Sequence, residues 1–245
     1  MASTKRIGGN AKMFTKDVGE TKKFNEHGGM NYFYGNTIVS NLYNDPNVMN
    51  AIKQIQAGYR NLPWVHKYHL MPEGSIHMTV FELLCHYNRT PECWSNNLSL
   101  DAPIEETDVF FHQQLKNVDM IHSFKMKPLS VKGTNLSVEP SDEQTRVMLE
   151  EFRNKLTEAT GVKFPNHDTY QFHISFGYKL QDLLPEEQLA VDELNEKLLT
   201  DVISKMDYVD IKVVDYTVFE DMSEFVPYSE QARKELKLRK YPHTI

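Results

Sequence analysis

Cysteine is scarce. Cys85 and Cys93 are the only two in 245 residues, too few for a disulfide scaffold and without the partner pairs of a structural zinc site. Positive charge is short as well: 27 Lys+Arg against 34 Asp+Glu leave a formal charge of −7. That is the wrong sign for a protein that grips long nucleic acids through their phosphates, although a small anion in a local pocket is compatible with it. No apolar run approaches the ~18 residues of a membrane-crossing helix. The opening stretch from Met1 to Gly9 has no apolar segment behind its charges, so a soluble, cytoplasmic protein without a membrane partner is expected, with a monomer as the starting assumption. The chain also lacks a phosphate-binding Gly-x-x-x-x-Gly-Lys loop and a His-Glu-x-x-His metalloprotease motif. His66-Lys67-Tyr68-His69 has metal-like spacing, but it precedes a strand and has no third ligand nearby, so no metal or other cofactor is expected.

What is present is enough for a sizeable core, since 40% of the residues are hydrophobic, in one large domain or two packed lobes. Residues 1–31 are rich in Gly, Lys and Asn and are expected to form an irregular arm on the surface or covering part of it. From Asn36 to Tyr43 the pattern suits a strand. Asp45-Pro46 then reads as an N-cap with proline at the first helical position, followed by Val48, Ala51, Ile52, Ile55 and Tyr59 at helical spacing. Strands are expected at Tyr68–Met71 and Ser75–Leu83, a long loop from Cys85 to Pro103, and a helix from Glu105 to Val118 with Val109, Phe110, Leu115 and Val118 on its apolar side.

The order then recurs. Strand signals span Ser123–Val138, Ser141 with Gln144 reads as a capping box, and a helix follows with Val147, Met148, Phe152 and Leu156 as inner positions. A strand runs from Phe172 to Tyr178. Asp45 precedes His77 by 32 residues and Ser141 precedes His173 by 32 (77 − 45 and 173 − 141), which suggests two similar lobes related by a pseudo-twofold axis. Pro185–Ser204 reads as a helix, Tyr208–Phe219 as a closing strand, and residues 228–245 as a charged, peripheral tail after a 32–227 domain.

The pattern His-x-[Ser/Thr] is weak alone, because 10 histidines and 28 Ser/Thr residues give roughly one match by chance. Three occur. His167-Asp168-Thr169 follows Pro165-Asn166 in a turn-like stretch. The other two share a longer pattern, Ile76-His77-Met78-Thr79-Val80 and Phe172-His173-Ile174-Ser175-Phe176, in which apolar residues alternate with the polar pair. That alternation puts imidazole and hydroxyl on one strand face, roughly 6.5–7 Å apart, where one phosphate can touch both. Breaking a phosphodiester requires a base on the attacking oxygen and an acid on the leaving one, and two histidines supply both near neutral pH without a metal. Thr79 and Ser175 would donate to the non-bridging oxygens as charge builds there.

These motifs resemble the 2H phosphoesterase superfamily, which includes the 2′-5′ RNA ligase-like and cyclic phosphodiesterase proteins, and more closely one uncharacterised branch of it. The resemblance extends to Gly35-Asn36-Thr37, to Ser75-x-His77-Met78-Thr79-Val80-Phe81, to Arg89 with Trp94, and to His167-Asp168-x-Tyr170-x-Phe172-His173-Ile174-Ser175. Tyr34 and Ser95 stand where that branch would have prolines. The resemblance implies an α+β, bilobal fold whose antiparallel sheets face a central groove with helices outside, and catalytic groups at His77, Thr79, His173 and Ser175. It further implies a metal-independent phosphodiesterase acting on a ribonucleotide: a 2′,3′-cyclic phosphate, a 2′-5′-linked oligonucleotide, or a cyclic di- or oligonucleotide. Asn36, Phe81, Arg89 and Tyr170 are candidates for substrate contacts, Arg89 through a second phosphate, and Trp94 or Phe81 through stacking on a base. The alternative is a module of the same fold that binds or senses such a nucleotide without turnover.

The two-histidine chemistry carries its own test: turnover of a nucleotide phosphodiester should be unchanged in EDTA. Loss on chelation, restored by a divalent ion, would reject it.

Overall fold

The computed structural model describes residues 13–244; the first twelve residues of the expected arm lie outside that range. In chain order the elements are β1 (Gly35–Asn41), α1 (Pro46–Arg60), β2 (Tyr68–Leu70), β3 (His77–Cys85), α2 (Ile104–Leu115), β4 (His122–Lys132), β5 (Asn135–Pro140) and α3 (Glu143–Thr160). They continue with β6 (His173–Ser175), β7 (Gly177–Lys179), α4 (Pro185–Asp201), β8 (Val209–Val213), β9 (Asp215–Phe219), β10 (Val226–Pro227) and α5 (Glu230–Lys240). Among the described residues no helix is long and apolar enough to cross a membrane.

The fold is α+β, and its centre is one eight-stranded antiparallel sheet in the order β10-β9-β1-β3-β6-β5-β4-β8, with β2 and β7 paired separately. The duplication read from the sequence is visible in that order. β1, α1 and β3 form one half, β5, α3 and β6 the other, and β3 and β6 are the inner neighbours where the halves join. The sheet is not flat. β8 and β9 are separated in sequence by Val214 alone yet stand six strand positions apart, about 29 Å in a flat sheet. Two residues of chain span at most about 7 Å, so the sheet must curl until its two ends approach. What the sequence suggested as one closing strand over Tyr208–Phe219 is therefore two, broken at Val214 where the chain passes from one half to the other.

Local chemistry explains most boundaries. The Asp45 carboxylate accepts from the amides of Asn47 and Val48 and Pro46 starts α1, as expected. In α3 the cap is Asp142, which accepts from the Thr145 amide, and not Ser141. The charged oxygen wins the position, and the helix cap precedes His173 by 31 residues (173 − 142), so the match with the first half is one residue less than equal. The β4–β5 turn depends on Gly133 at φ +56°, the left-handed region a side chain disfavours. At the start of β1, a Cβ on Gly35 would collide with the Leu84 carbonyl of β3, so glycine is required for the two strands to approach.

Two expectations are corrected by one buried ion cluster. α2 turns Asp108, not Val109, to the interior: Asp108 is 1% exposed and Val109 37%. The reason is the C-terminal segment, which is not peripheral. α5 inserts Arg233, 4% exposed, whose Nε donates to Asp108 Oδ2 at 2.7 Å and Nη1 to Glu220 Oε1 at 3.0 Å, while Nη1 and Nη2 also reach the carbonyls of Phe219 and Gly35. Likewise α3 buries Leu149 and Arg153 and leaves Val147 exposed.

Arg233→Ala should destabilise the protein by about 3–5 kcal/mol, because two buried carboxylates lose their counter-charge. Urea denaturation measures this, and a loss under about 1 kcal/mol would show that α5 is not integral.

Candidate active site

His77 and Thr79 lie on β3, and His173 and Ser175 bound β6. These strands meet at a single pair, Met78 opposite Ile174, the central residues of the two motifs. Both side chains are fully buried, so the residues flanking them point to the other face, where all four are half-buried. Antiparallel register then sets His77 beside Ser175 and Thr79 beside His173, and the two histidine Cα atoms lie on a diagonal about 8 Å long. That span leaves room for one phosphate between the rings.

Each imidazole is oriented by the same contact. His77 Nδ1 is 2.6 Å from the carbonyl of Ser75, and His173 Nδ1 is 3.0 Å from the carbonyl of Gln171, in both cases two residues earlier. A carbonyl can only accept, so Nδ1 carries the hydrogen in both rings and the lone pair of the neutral ring is on Nε2. Ser75 is itself fastened, its Oγ donating to the Met222 carbonyl at 2.6 Å. Phe225, on the loop that follows β9, packs on the His77 ring with centroids 4.0 Å apart. Burial pushes the His77 pKa down to about 4 against the pull of the Ser75 carbonyl, and the charges of His173 and Lys23 press in the same direction.

The hydroxyls are held differently. Ser175 Oγ donates to Asn135 Oδ1 at 2.7 Å; Asn135 is its register partner on β5, as Ser137 is for His173. Thr79 is approached by Tyr170, whose hydroxyl lies 3.4 Å from the Thr79 carbonyl. The Tyr170 ring stands 6.5 Å from that of His173 and stacks over the Arg153 guanidinium at 4.3 Å. Burial raises the Tyr170 pKa well above its ordinary value, which keeps the hydroxyl a donor.

The structure thus brings His77, Thr79, His173, Ser175 and Tyr170 together, leaves Phe81 and Arg89 elsewhere, and sets Asn36 in the wall of the pocket beside His77 and Thr79 with its amide engaged inside the fold. Asn36 is 2% exposed, with Nδ2 donating to Thr107 and Asp108 and Oδ1 accepting from the Leu84 amide; it ties β1 to β3 and α2. Phe81 is 2% exposed and faces Arg153 and His167, because a bulge where β3 carries an extra residue against β1 (Ile38 opposite Phe81, Val39 opposite Thr79) turns it off the Thr79 face. Arg89 donates to the carbonyls of His86, Leu100 and Ala102 and stacks on Trp94 at 4.5 Å, so it staples the 85–103 loop. The third His-x-Thr match is also structural, since His167 is buried and its Nε2 pairs with Asn154 Oδ1 at 3.0 Å. His69 is engaged too, its Nδ1 2.8 Å from the Gly28 carbonyl.

Four groups near the histidines were not singled out from the sequence: Asn135 and Ser137, Phe225, and Lys23. The first two were detectable in principle, because Asn135-Leu136-Ser137-Val138 repeats the polar–apolar alternation of the motifs. Phe225 and Lys23 carry no local signal, being delivered by loops from the two ends of the chain.

A family model described as 2H-phosphodiest, a domain of unknown function (DUF1868), matches residues 23–137. That span holds the first motif, and the second lies beyond it. Among solved structures, the crystal structure of a conserved protein of unknown function from Agrobacterium tumefaciens superposes with a TM-score of 0.80 at 22% identity, covering 84% of this chain and 89% of that one. A likeness at that identity concerns the fold. No curated protein matches the chain.

Since the His77 pKa is depressed from 6.5 to about 4, the unfolded chain binds this proton between those values and the folded one does not. The burial of His77 therefore favours folding increasingly as pH rises through that window and penalises it as pH falls. An NMR titration of the imidazole resonances should show His77 still unprotonated at pH 5.5; a midpoint at or above 6.5 would contradict the enclosure described.

Proposed function

We propose that the chain belongs to the 2H phosphoesterase superfamily, whose domain model matches residues 23–137, and that it is a metal-independent phosphodiesterase acting on a ribonucleotide, with His77 as general base and His173 as general acid. The observation that carries this reading is the matched pinning of the two imidazoles, each Nδ1 on a carbonyl two residues back and each Nε2 left for the substrate. A sensing module would have no need of two proton-transfer groups so arranged. The low pKa of His77 supports the base role for it, because an unprotonated ring is the one able to take the first proton.

In the forward step His77 Nε2 removes the proton of the ribose hydroxyl next to the phosphorus, the 2′-hydroxyl of a 3′-5′ linkage or the 3′-hydroxyl of a 2′-5′ linkage. The bond from that oxygen to phosphorus forms, the bond from phosphorus to the leaving oxygen breaks, and His173 gives the leaving oxygen a proton. The products are a 2′,3′-cyclic phosphate end and a free hydroxyl, and water replaces the leaving group if the same site later opens the ring. The neighbouring hydroxyl matters because a modest imidazole base suffices for a nucleophile held at high effective concentration. Thr79 and Ser175 donate to the non-bridging oxygens. For Ser175 this requires the Asn135 amide to turn over, so that its NH2 donates to Ser175 Oγ and releases the serine hydrogen.

The test is a panel of 2′,3′-cyclic nucleotides, 2′-5′-linked oligonucleotides and cyclic dinucleotides. His77→Ala and His173→Ala should each slow turnover about a hundredfold or more, Thr79→Ala and Ser175→Ala less, and His167→Ala little. Replacing the hydroxyl adjacent to the scissile phosphate of a linear substrate, 2′ in a 3′-5′ linkage or 3′ in a 2′-5′ linkage, by its O-methyl ether should abolish cleavage and leave binding largely intact. Equal cleavage of the blocked substrate would mean direct attack by water; near-normal turnover of either histidine variant would reject the assignment.

A further inference from the structure

Beside His77 and Thr79 opens a pocket of about 470 Å³, and one of its walls is the stretch from Lys16 to Lys23. Read from sequence this stretch is an irregular arm. In the structure it has neither helix nor strand, but it is docked. Phe24 is fully buried between the rings of His69, 4.8 Å away, and Tyr178, 5.0 Å away. The Phe24 amide donates to Asp17, the Asn31 amide to the Lys23 carbonyl, and Thr15 Oγ1 to the Lys179 carbonyl. Exposing a ring buried this way costs about 1.5–3 kcal/mol, so the backbone at Lys23 is held in place.

The side chain that this anchoring delivers lines the same pocket as His77 and Thr79. Lys23 Nζ lies 4.6 Å from the Tyr178 ring centroid and 3.5 Å from Asp17 Oδ1, and its charge is felt by His77. Burial works against that charge, yet Tyr178 and Asp17 outweigh burial and hold the Lys23 pKa above the usual lysine value. The Asp17 contact is long and the Tyr178 contact is with the ring, so an anion can compete for the three donors of the ammonium. The local charge is also unlike the protein's. Lys16, Lys22 and Lys23 line this pocket against Asp17 and Glu82, a balance of +1 (3 − 2) in a chain of −7.

We propose that Lys23 is a third phosphate ligand of the site, its ammonium contacting a non-bridging oxygen of the phosphodiester held between His77 and His173. The inference rests on the phosphodiesterase reading above and adds a charge to it. A phosphodiester gains negative charge as the phosphorus is attacked, two imidazoles and two hydroxyls offer one mobile positive charge, and Lys23 supplies a fixed one where charge develops. The arm is then part of the centre, and the pocket it walls is the direction in which the substrate extends.

The test measures binding and turnover separately in the full-length protein. Lys23→Met keeps the apolar stem and removes the charge, Lys23→Arg keeps the charge, and Lys179→Met, on the neighbouring β7, removes an exposed charge from outside the pocket. By calorimetry Lys23→Met should bind inorganic phosphate at least about tenfold more weakly than the unaltered protein, with an unchanged melting temperature; Lys23→Arg should recover most of the affinity and Lys179→Met should lose none. On any cleaved substrate Lys23→Met should be slowed about a hundredfold, mainly in kcat. Phosphate affinity equal to that of the unaltered protein, or an equal loss in Lys179→Met, would overturn the proposal. Because phosphate binding needs no turnover, this result stands apart from that of His77→Ala, whose unchanged turnover would instead sink the phosphodiesterase reading.

Discussion

The two halves of the sheet are joined where Met78 meets Ile174, and the rest of the structure depends on that junction. It is one residue pair long, so its register cannot be averaged over many neighbours. A slip of one position would turn His77, Thr79, His173 and Ser175 into the core and bring Met78 and Ile174 out. What prevents the slip is burial: both central side chains are fully enclosed, each contributing about 1.5–3 kcal/mol that would be lost on exposure. The residues that make the junction stable are the same ones that aim the polar groups outward, and the alternation of the strand links the two.

A junction this short needs bracing from outside, and both chain ends provide it. The N-terminal arm clips onto β7 through Thr15 and lodges Phe24 between β2 and β7. The C-terminal helix α5 drives Arg233 between Asp108 of α2 and Glu220 beyond β9. One brace is apolar and lies by the site, the other is ionic and buried behind it. The curl forced at Val214, where the chain passes between β8 and β9, closes the frame.

Electrostatics then divides the labour within the groove. Burial, with Phe225 packed on the ring, holds His77 neutral against the pull of the Ser75 carbonyl, while Lys23 in the same pocket stays charged because Asp17 and Tyr178 compensate its burial. A neutral base and a fixed cation in one pocket are compatible, since the cation lowers the affinity of the imidazole for a proton until an anion arrives to screen it. The arrangement is suited to an anionic ligand in a protein whose net charge is negative.

The alternation in Ile76–Val80 and Phe172–Phe176, the Asp45-Pro46 helix start and the recurrence of strand, helix and His-bearing strand are local patterns, and strand and helix geometry convert them directly into faces and caps. By itself the sequence therefore determined which side chains share a face, and with them the core of the site. It did not determine which strands pair, that Asp142 rather than Ser141 caps α3, that α2 buries Asp108, or that Asn36, Phe81 and Arg89 belong to packing. Those outcomes turn on partners far away in the chain: Asp108 is buried because Arg233 lies 125 residues later, and Lys23 lines the pocket beside His77 because Phe24 is lodged between His69 of β2 and Tyr178 of β7. Contacts of that separation leave no periodicity behind, since their energy is realised only once loops have closed and water is excluded, and so tertiary structure alone decided them.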